Sequence, residues 1–165
     1  MSNENIVGKN GQGEKDPNEL KIVEEKGLGY TLTVAREDIL KAAVGLKEAG
    51  FDLLTFVAGV DMPDSIKLTY RVYSSKQKNQ VAVIIKTEVP KSDPVIDSLT
   101  PIWSSANWHE RETYDLLGVE FKGHPDPRRM FMPEDWVGYP LRKDYKDDRM
   151  VVFEDYRTDR PGDSE

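Results

Sequence analysis

The residues best suited to chemistry are concentrated in one short run of the chain. This run reads Trp108-His-Glu-Arg-Glu-Thr-Tyr-Asp-Leu-Leu-Gly118, and both histidines of the protein, His109 and His124, lie within it or shortly after it. Carboxylates and imidazoles this close in sequence could serve in general acid–base catalysis or as ligands of a metal ion. Which use the run supports depends on where a helix would place each side chain.

A carboxylate pair for acid–base catalysis is not favoured by the spacing. Glu110 and Glu112 lie two positions apart, and residues at this separation do not face each other on a helix. Glu112 and Asp115 do share a face. However, Arg111 precedes Asp115 by four residues, and this spacing favours a local ion pair. His109 precedes Glu112 by three residues and favours a second pair. We therefore predict no catalytic residue in this chain.

A metal site is also disfavoured. His109 and Glu112 have a helical ligand spacing, and His124 could be a third ligand, but metalloprotease helices carry two histidines four residues apart. The chain contains no cysteine, which excludes disulfides, the usual structural zinc sites and an ordinary iron–sulfur cluster. We expect His109 to be a partly exposed helical residue and His124 to be a loop residue bonded to backbone groups.

Basic residues follow the run, at Arg128, Arg129, Arg142 and Lys143. A phosphate or nucleotide site would need a glycine-rich loop before a helix to supply backbone amides, and none precedes them. Arginines on an extended segment interleaved with acids more often bind carboxylates of another chain. We therefore predict an interface role for these residues.

Alternating apolar residues indicate the elements that would position this run. Strands are predicted around residues 30–34, 54–60, 66–72 and 81–85, with a hairpin loop over 74–79. One helix is predicted from Ile39 to a stop at Gly50, after the acidic residues Glu37 and Asp38. The order β-α-β-β-β predicts an α+β fold, in which a small, mostly antiparallel sheet has helices packed on it.

The second helix is predicted over residues 108–117, with Gly118 as its stop. Asn107 followed by Glu110 three residues later resembles a capping box at its start. A short helical turn is expected before it, around residues 95–99. These elements would place the charged run at the end of the folded domain.

The segment after Gly118 has an unusual composition. Four prolines between Pro125 and Pro140 forbid a long helix or a central strand. Large apolar residues are nevertheless frequent in it, and apolar side chains on an extended segment need a surface to cover. We therefore predict an extended, proline-rich tail that wraps a partner protein. We also expect few contacts between the domain and the residues from Gly123 onward.

Composition and length limit the remaining possibilities. The chain has 165 residues, a net charge of -7 and 38% hydrophobic residues. The acidic balance disfavours nucleic-acid binding. The longest apolar run has five residues, Val81 to Ile85, whereas a membrane-spanning helix needs about 20. We expect a soluble protein with a flexible leader (1–19), one α+β domain (20–118) and a partner-binding tail (119–165).

Two adjoining segments resemble a known family. The segment 110–126 reads Glu110-Arg-Glu-Thr-Tyr-Asp-Leu-Leu-Gly-Val-Glu-Phe-Lys-Gly-His-Pro-Asp126, and it closely resembles the signature of the C subunit of complex I, the hydrophilic 30-kDa-type subunit of respiratory-chain NADH dehydrogenase. The continuation 128–145 resembles the same family's C-terminal tail. Together they cover about a fifth of the chain. Pro127 departs from the leucine usual in the family.

The resemblance implies a non-catalytic connecting subunit in the peripheral arm of a complex I-type, proton-translocating oxidoreductase. The expected partners are the large quinone-site subunit of the 49-kDa type and the subunit that holds the terminal iron–sulfur cluster. No cofactor is expected in this chain itself, because partner subunits would hold the clusters and the quinone. The expected location is the cytoplasmic side of the cell membrane, without direct insertion. The electron donor, whether NADH, reduced deazaflavin or ferredoxin, is left open.

Two other functions remain as alternatives to this one. The first is the homologous subunit of an energy-converting, membrane-bound hydrogenase, and the second is a stand-alone hydrolase using Glu112 and His109. Under the leading hypothesis, the residues expected at the partner interface are Glu110, Arg111, Glu112, Asp115, His124, Pro125, Arg128, Arg129, Trp136, Tyr139, Pro140, Arg142, Lys143 and Asp144. Arg111 could instead be held internally by Asp115.

Overall fold

A five-stranded mixed sheet forms the centre of the protein in a computed structural model, which describes residues 21–25, 29–76 and 81–147. Its strands are β1 (Lys21–Glu25), β2 (Gly29–Thr33), β3 (Leu53–Asp61), β4 (Ser65–Tyr73) and β5 (Ala82–Pro90), in the order β1-β2-β5-β4-β3. The pairing of β2 with β5 is parallel, and the other three pairings are antiparallel. The predicted α+β class and the four predicted strands are confirmed, and β1 is an additional strand.

One face of the sheet builds the core, because apolar residues recur at every second position. In β4 the buried side chains are Ile66, Leu68, Tyr70 and Val72, while Lys67 between them is exposed. This period of two is the pattern of a strand with one buried face. The strand therefore has the orientation that its sequence predicts.

The described part of the chain has two α-helices. The first, α1 (Ile39–Glu48), follows β2, and the second, α2 (Ala106–Leu117), precedes the last part of the described chain. Both contribute to the same apolar cluster as the buried face of the sheet, so both pack on that face. The helix α2 ends where predicted, at Gly118 in the left-handed conformation. The predicted capping box is wrong: α2 begins at Ala106, and no side chain caps its first turn. The carboxylate of Glu110 instead binds residues that precede the helix.

A second, two-stranded parallel sheet joins β6 (Val95–Asp97) and β7 (Glu120–Lys122). The helical turn expected over residues 95–99 is therefore wrong at its first three positions. The strand β6 is short and follows Pro94, so it has too few positions for an alternating pattern. Two further expectations, the leader over 1–19 and part of the hairpin loop over 74–79, lie outside the described residues.

Residues 123–147 form a C-terminal segment that contains turns but neither helix nor strand. This agrees with the prolines. The expectation of few contacts with the domain is wrong for these residues, because backbone and side-chain hydrogen bonds tie the segment to α2 and to the end of β3. No helix within the described ranges is long and apolar enough to cross a membrane.

Candidate functional site

The buried carboxylate of Asp115 anchors the C-terminal segment to α2. Asp115 is 0% exposed. Its Oδ2 accepts hydrogen bonds from the backbone N–H groups of Met130, Phe131 and Met132 at 2.9, 2.6 and 3.0 Å. Burial alone would raise the pKa of Asp115, but these N–H groups and the guanidinium of Arg129 outweigh it and hold the pKa below its usual value. The carboxylate is therefore charged at neutral pH.

Arg129 completes this anchor from the segment itself. Its Nη1 contacts Oδ1 of Asp115 at 2.8 Å, and its Nη2 donates to the backbone oxygens of Trp136 and Gly138 at 3.2 and 3.3 Å. One guanidinium therefore joins α2 to the backbone of residues 136 and 138 of the segment. Charge-assisted bonds of this kind are stronger than neutral ones and fix geometry as well.

Arg142 binds the C-terminal end of α2. Its Nε donates to the carbonyl oxygen of Leu117 at 2.6 Å, and its Nη2 donates to that of Gly118 at 3.3 Å. The last carbonyls of a helix have no partner within the helix and carry partial negative charge, so a cation there is favourable. The backbone N–H of Leu141 adds a bond to the oxygen of Leu116 at 3.0 Å.

Both arginines also contact one aromatic ring, that of Tyr139. Arg129 and Arg142 lie 5.4 and 4.8 Å from the centroid of the Tyr139 ring, within the range of cation–π contacts. The ring also packs against Gly118, whose φ is 72°, and a Cβ at that glycine would lie 2.4 Å from a ring carbon. Glycine is required there for its conformation and for the space it leaves.

The segment is fixed a second time at the end of β3. The backbone N–H of Lys143 donates to Oδ2 of Asp61 at 2.9 Å, and the same carboxylate pairs with Lys91. Asp61 is buried, and it was not among the residues predicted from the sequence. The sequence did offer one signal for it: an acidic residue at the end of an apolar strand, with no basic residue beside it in sequence, needs a partner from elsewhere in the chain.

Arg111 does not pair with Asp115, and that expectation is wrong. Its guanidinium donates to the backbone oxygens of Arg128 and Arg129 at 3.0 and 3.2 Å and lies 3.4 Å from a carboxylate oxygen of Asp126. Backbone oxygens of the C-terminal segment therefore bind Arg111 in place of the Asp115 carboxylate. Arg128 points outward and forms its own two bonds to Asp126.

Glu110 is also buried and bonded within the chain. Its carboxylate accepts hydrogen bonds from the Ser98 hydroxyl at 2.6 Å, the Leu99 N–H at 2.7 Å and the Thr100 hydroxyl at 3.2 Å. Burial raises the pKa of Glu110 and outweighs these bonds, which lower it. Since its side chain does not reach the surface, Glu110 can influence an interface only indirectly, and the same holds for Asp115.

The histidines match the description given from the sequence. The two ring nitrogens of His124 lie 3.2 Å from the oxygen of Asn107 and 3.0 Å from the N–H of Asp126, and His109 is half-buried on α2. A cleft of about 240 Å³ beside His124 is lined by Arg111 and Tyr114, and it is smaller than the roughly 300–1,000 Å³ of small-molecule sites. Within the described ranges, no three His, Asp or Glu residues are grouped to hold a metal ion.

The remaining predicted interface residues lie near the surface. Glu112, Trp136, Tyr139 and Pro140 are half-buried, and Pro125, Lys143 and Asp144 are exposed. The structure thus brings Asp115, Arg129, Tyr139 and Arg142 together in one anchor on α2. It leaves Pro125, Arg128 and Asp144 apart from that anchor.

Three large apolar side chains of the segment are exposed. Phe131 is 56% exposed, Val137 85% and Leu141 59%. We call these three side chains the apolar ridge. The charged groups of the anchor thus bond within the chain, whereas these three apolar side chains remain in contact with solvent, beside exposed charged residues such as Lys143 and Asp144. The interface prediction did not include any of the three.

Known proteins share both the sequence pattern and the fold of this chain. A family profile described as "Respiratory-chain NADH dehydrogenase, 30 Kd subunit" matches residues 32–150. The C subunit of NADH-quinone oxidoreductase from Geobacter sulfurreducens is 45% identical over 120 residues, which cover 70% of this chain and 73% of the relative. The same subunit from Trichlorobacter lovleyi is 41% identical over 139 residues, covering 81% of this chain and 84% of that one.

Two solved structures share the fold. The trypsin-resistant fragment (1-134) of Nqo5 superposes with a TM-score of 0.58 at 29% identity, covering 65% of this chain and 89% of the fragment. A chain of the membrane-bound sulfane sulfur reductase, an archaeal respiratory membrane complex, gives a TM-score of 0.64 at 22% identity and covers 77% of both chains. The second likeness concerns the fold alone.

Proposed function

This chain belongs to the family of the 30 Kd subunit of respiratory-chain NADH dehydrogenase, and we propose that it connects the subunits of a complex I-type oxidoreductase through its apolar ridge. The proposed partners are the large quinone-site subunit and the subunit that holds the terminal iron–sulfur cluster. The proposed location is the cytoplasmic side of the membrane. Electron transfer is assigned to cofactors held by those partners.

The observation that carries this proposal is the exposure of three large apolar side chains on a segment that internal bonds hold in place. Asp115, Arg129 and Arg142 direct their charge to internal bonds, and Phe131, Val137 and Leu141 remain in contact with solvent. Exposed apolar side chains rimmed by polar ones mark protein interaction sites. The internal bonds also hold the ridge in one conformation, which lowers the entropy lost on binding.

In the proposed function, the buried charged residues act indirectly, by fixing the segment that carries the ridge. Asp115 and Arg129 hold the segment in shape, and exposed residues such as Lys143 and Asp144 supply the polar rim. The hydrogenase-type assembly is less well supported, since the relatives that share 41–45% identity are subunits of NADH-quinone oxidoreductases. A stand-alone hydrolase using His109 and Glu112 has no support from the site geometry.

The test is co-purification from native membranes. A tagged chain is compared with a variant that carries Phe131→Ser, Val137→Ser and Leu141→Ser. We expect the variant to keep a cooperative thermal transition and to lose most of the large subunit that co-purifies with the normal chain. A matched control replaces Leu40 and Val44 with serine, because these side chains are exposed on α1, away from the ridge. Normal co-purification of the triple variant would contradict the proposal.

A second measurement concerns the isolated chain. We propose that it carries no flavin and no stoichiometric iron or zinc, and that it does not oxidise NADH. Absorbance, elemental analysis and a quinone-reduction assay check this. One metal ion per chain after dialysis, or measurable turnover, would instead assign a redox or hydrolytic site to the chain itself.

A further inference from the structure

The free edge of β3 is unusual for an edge strand. The part from Leu53 to Val60 contains no charged residue and no proline. Natural sheets commonly protect such edges with charges, prolines or bulges, because the unpaired N–H and C=O groups can pair with another strand. The strand does have a bulge between Leu54 and Phe56, but the residues after it continue in regular pairing with β4.

The hydrogen-bond register shows which backbone groups face the open side. The N–H of Met62 bonds to the oxygen of Ser65 at 2.9 Å, across the turn that joins β3 to β4. In an antiparallel pair, the backbone groups of alternate residues point towards the partner strand. Those of Val60 and Ala58 therefore point towards β4, and Val57 and Gly59 direct their N–H and C=O groups away from it. Because β3 is the last strand of the sheet, that direction is the free edge.

Other parts of the chain contact β3 near both ends of this edge, through the backbone oxygen of Leu54 and through the side chain of Asp61. The Ser105 hydroxyl donates to the Leu54 oxygen at 2.8 Å, and Lys143 lies against Asp61 at the other end. Within the part of the chain that the structure describes, no hydrogen bond reaches the outward groups of Val57 or Gly59. This part of the edge, which we call the opening, offers two N–H groups and two C=O groups.

A groove of about 190 Å³ runs beside this opening. Its walls are the β3 residues Val57 to Gly59 on one side and Leu116 and Leu141 on the other. It is smaller than the roughly 300–1,000 Å³ of small-molecule sites, and it suits individual side chains of an extended peptide. Leu141 also belongs to the apolar ridge, so the groove and the ridge are continuous.

Glu112 supplies a charge at this groove. It lines the groove from α2 and is half-buried. Among the described residues, its side-chain carboxylate has no ion-pair or hydrogen-bond partner, in contrast to those of Glu110 and Asp115 on the same helix. An acidic group beside free backbone groups favours a peptide that carries a basic side chain at the matching position.

We propose that the free edge of β3 receives a short extended segment of a partner subunit, which pairs with Val57 and Gly59 and places a lysine or arginine against Glu112. The identity of the partner rests on the proposed function. The mode is strand addition, in which main-chain bonds supply affinity and side-chain pockets supply specificity. The segment is short, since other parts of the chain contact β3 at Leu54 and Asp61.

Residue-resolved hydrogen exchange on the full chain, alone and in the purified complex, tests this proposal. In the chain alone, the amides of Val57 and Gly59 are expected to exchange about 100-fold faster than those of Ala58 and Val60, which bond to β4. In the complex, all four are expected to exchange at similar slow rates. Rapid exchange of Val57 and Gly59 in the complex would overturn the inference.

Two other occupants give different results. Slow exchange in the chain alone that is lost after truncation at Asp147 would assign the edge to this chain's own C-terminal residues. Slow exchange that depends on protein concentration would assign it to a second copy. Either result overturns a partner segment. A chain that does not join a respiratory complex contradicts the proposed function, whereas a chain that joins it with rapid exchange at Val57 contradicts only this inference.

Charge reversal provides the second arm of the test. Glu112→Lys is expected to restore fast exchange at Val57 and Gly59 in the complex and to lower the complex yield about tenfold. Glu48→Lys is the control, because Glu48 is exposed at the end of α1 and away from the groove. Equal behaviour of the two variants would overturn the role of Glu112.

Discussion

Replacing Asp115 with asparagine removes the charge that holds the C-terminal segment while it preserves the shape of the side chain. In the native chain Asp115 is 0% exposed and binds Arg129 at 2.8 Å together with three backbone N–H groups. The substituted amide would keep one acceptor oxygen for these N–H groups. Its NH2 group would face the guanidinium of Arg129, whose side chain is only 12% exposed.

The magnitude follows from the bonds that are weakened. Hydrogen bonds to charged groups contribute about 1.5–3 kcal/mol each, and breaking a buried ion pair costs about 3–5 kcal/mol. We expect Asp115→Asn to lower the free energy of unfolding by about 3 kcal/mol. A domain has a total stability of about 5–15 kcal/mol, so this loss is large but leaves the sheet folded.

The effect is expected to depend on pH. The pKa of Asp115 is lower in the folded chain than in the unfolded chain, so its ionisation stabilises the fold above the unfolded pKa. This contribution is lost as the pH falls through the folded pKa. The difference in stability between the native chain and the variant should therefore be constant near neutral pH and shrink below about pH 4.

Urea unfolding and limited trypsin digestion measure the two consequences. The variant is expected to unfold at lower urea concentration and to be cut faster after Arg129 and Arg142, because both arginines lose their fixed positions. Asp144→Asn is the matched control, since Asp144 is exposed on the same segment, and we expect it to change stability by less than about 0.5 kcal/mol. A loss below about 1 kcal/mol for Asp115→Asn, with unchanged digestion, would refute the anchor.

Three further predictions follow from the same contacts. Gly118→Ala is expected to lower the free energy of unfolding by about 1–3 kcal/mol, because it strains the backbone and the added methyl group meets the Tyr139 ring. Gly45→Ala is the control: Gly45 lies in an open part of α1, and its substitution is expected to raise the free energy of unfolding by about 0.5–1 kcal/mol. Thermal denaturation measures both variants. Burial raises the pKa of Glu110, so its ionisation in the folded state is unfavourable. Glu110→Gln is therefore expected to become more stable than the native chain as the pH rises above the ordinary pKa of a glutamate. Urea titrations from acidic to neutral pH check the sign of this difference. Arg142→Ala is expected to lower the amount of assembled complex on a native gel far more than Arg157→Ala, with turnover per assembled complex unchanged, and a large fall in that turnover would contradict a purely connecting role.

The central sheet could be predicted from the sequence because its strands have one buried face. In β4 the alternation of Ile66, Leu68, Tyr70 and Val72 specifies both the strand and the face. The sequence of β1 contains only two adjacent apolar residues, Ile22 and Val23, so it has no such pattern. The parallel pairing of β2 with β5 could not be predicted, because it depends on strands far apart in the chain.

The anchor could not be predicted for a related reason. A spacing of four residues on a helix favours Arg111 as the partner of Asp115, but such an exposed pair contributes only about 0.3–0.5 kcal/mol. The three N–H groups of residues 130–132 and the guanidinium of Arg129 offer more, and they bind Asp115 instead. One signal was available: a segment without helix or strand still needs acceptors for its backbone N–H groups, and an ionised aspartate is an acceptor without donors.

The dependence of the ridge on Asp115 has a consequence for the order of events during synthesis. The anchor site on α2 exists only after that helix has formed, and the residues that bind it leave the ribosome later than the whole sheet. The apolar ridge therefore takes shape last, as a folding step that follows the closure of the domain. If the ridge is the docking surface, as proposed above, an incompletely folded or truncated chain cannot join the complex, and assembly itself discriminates between finished and unfinished copies.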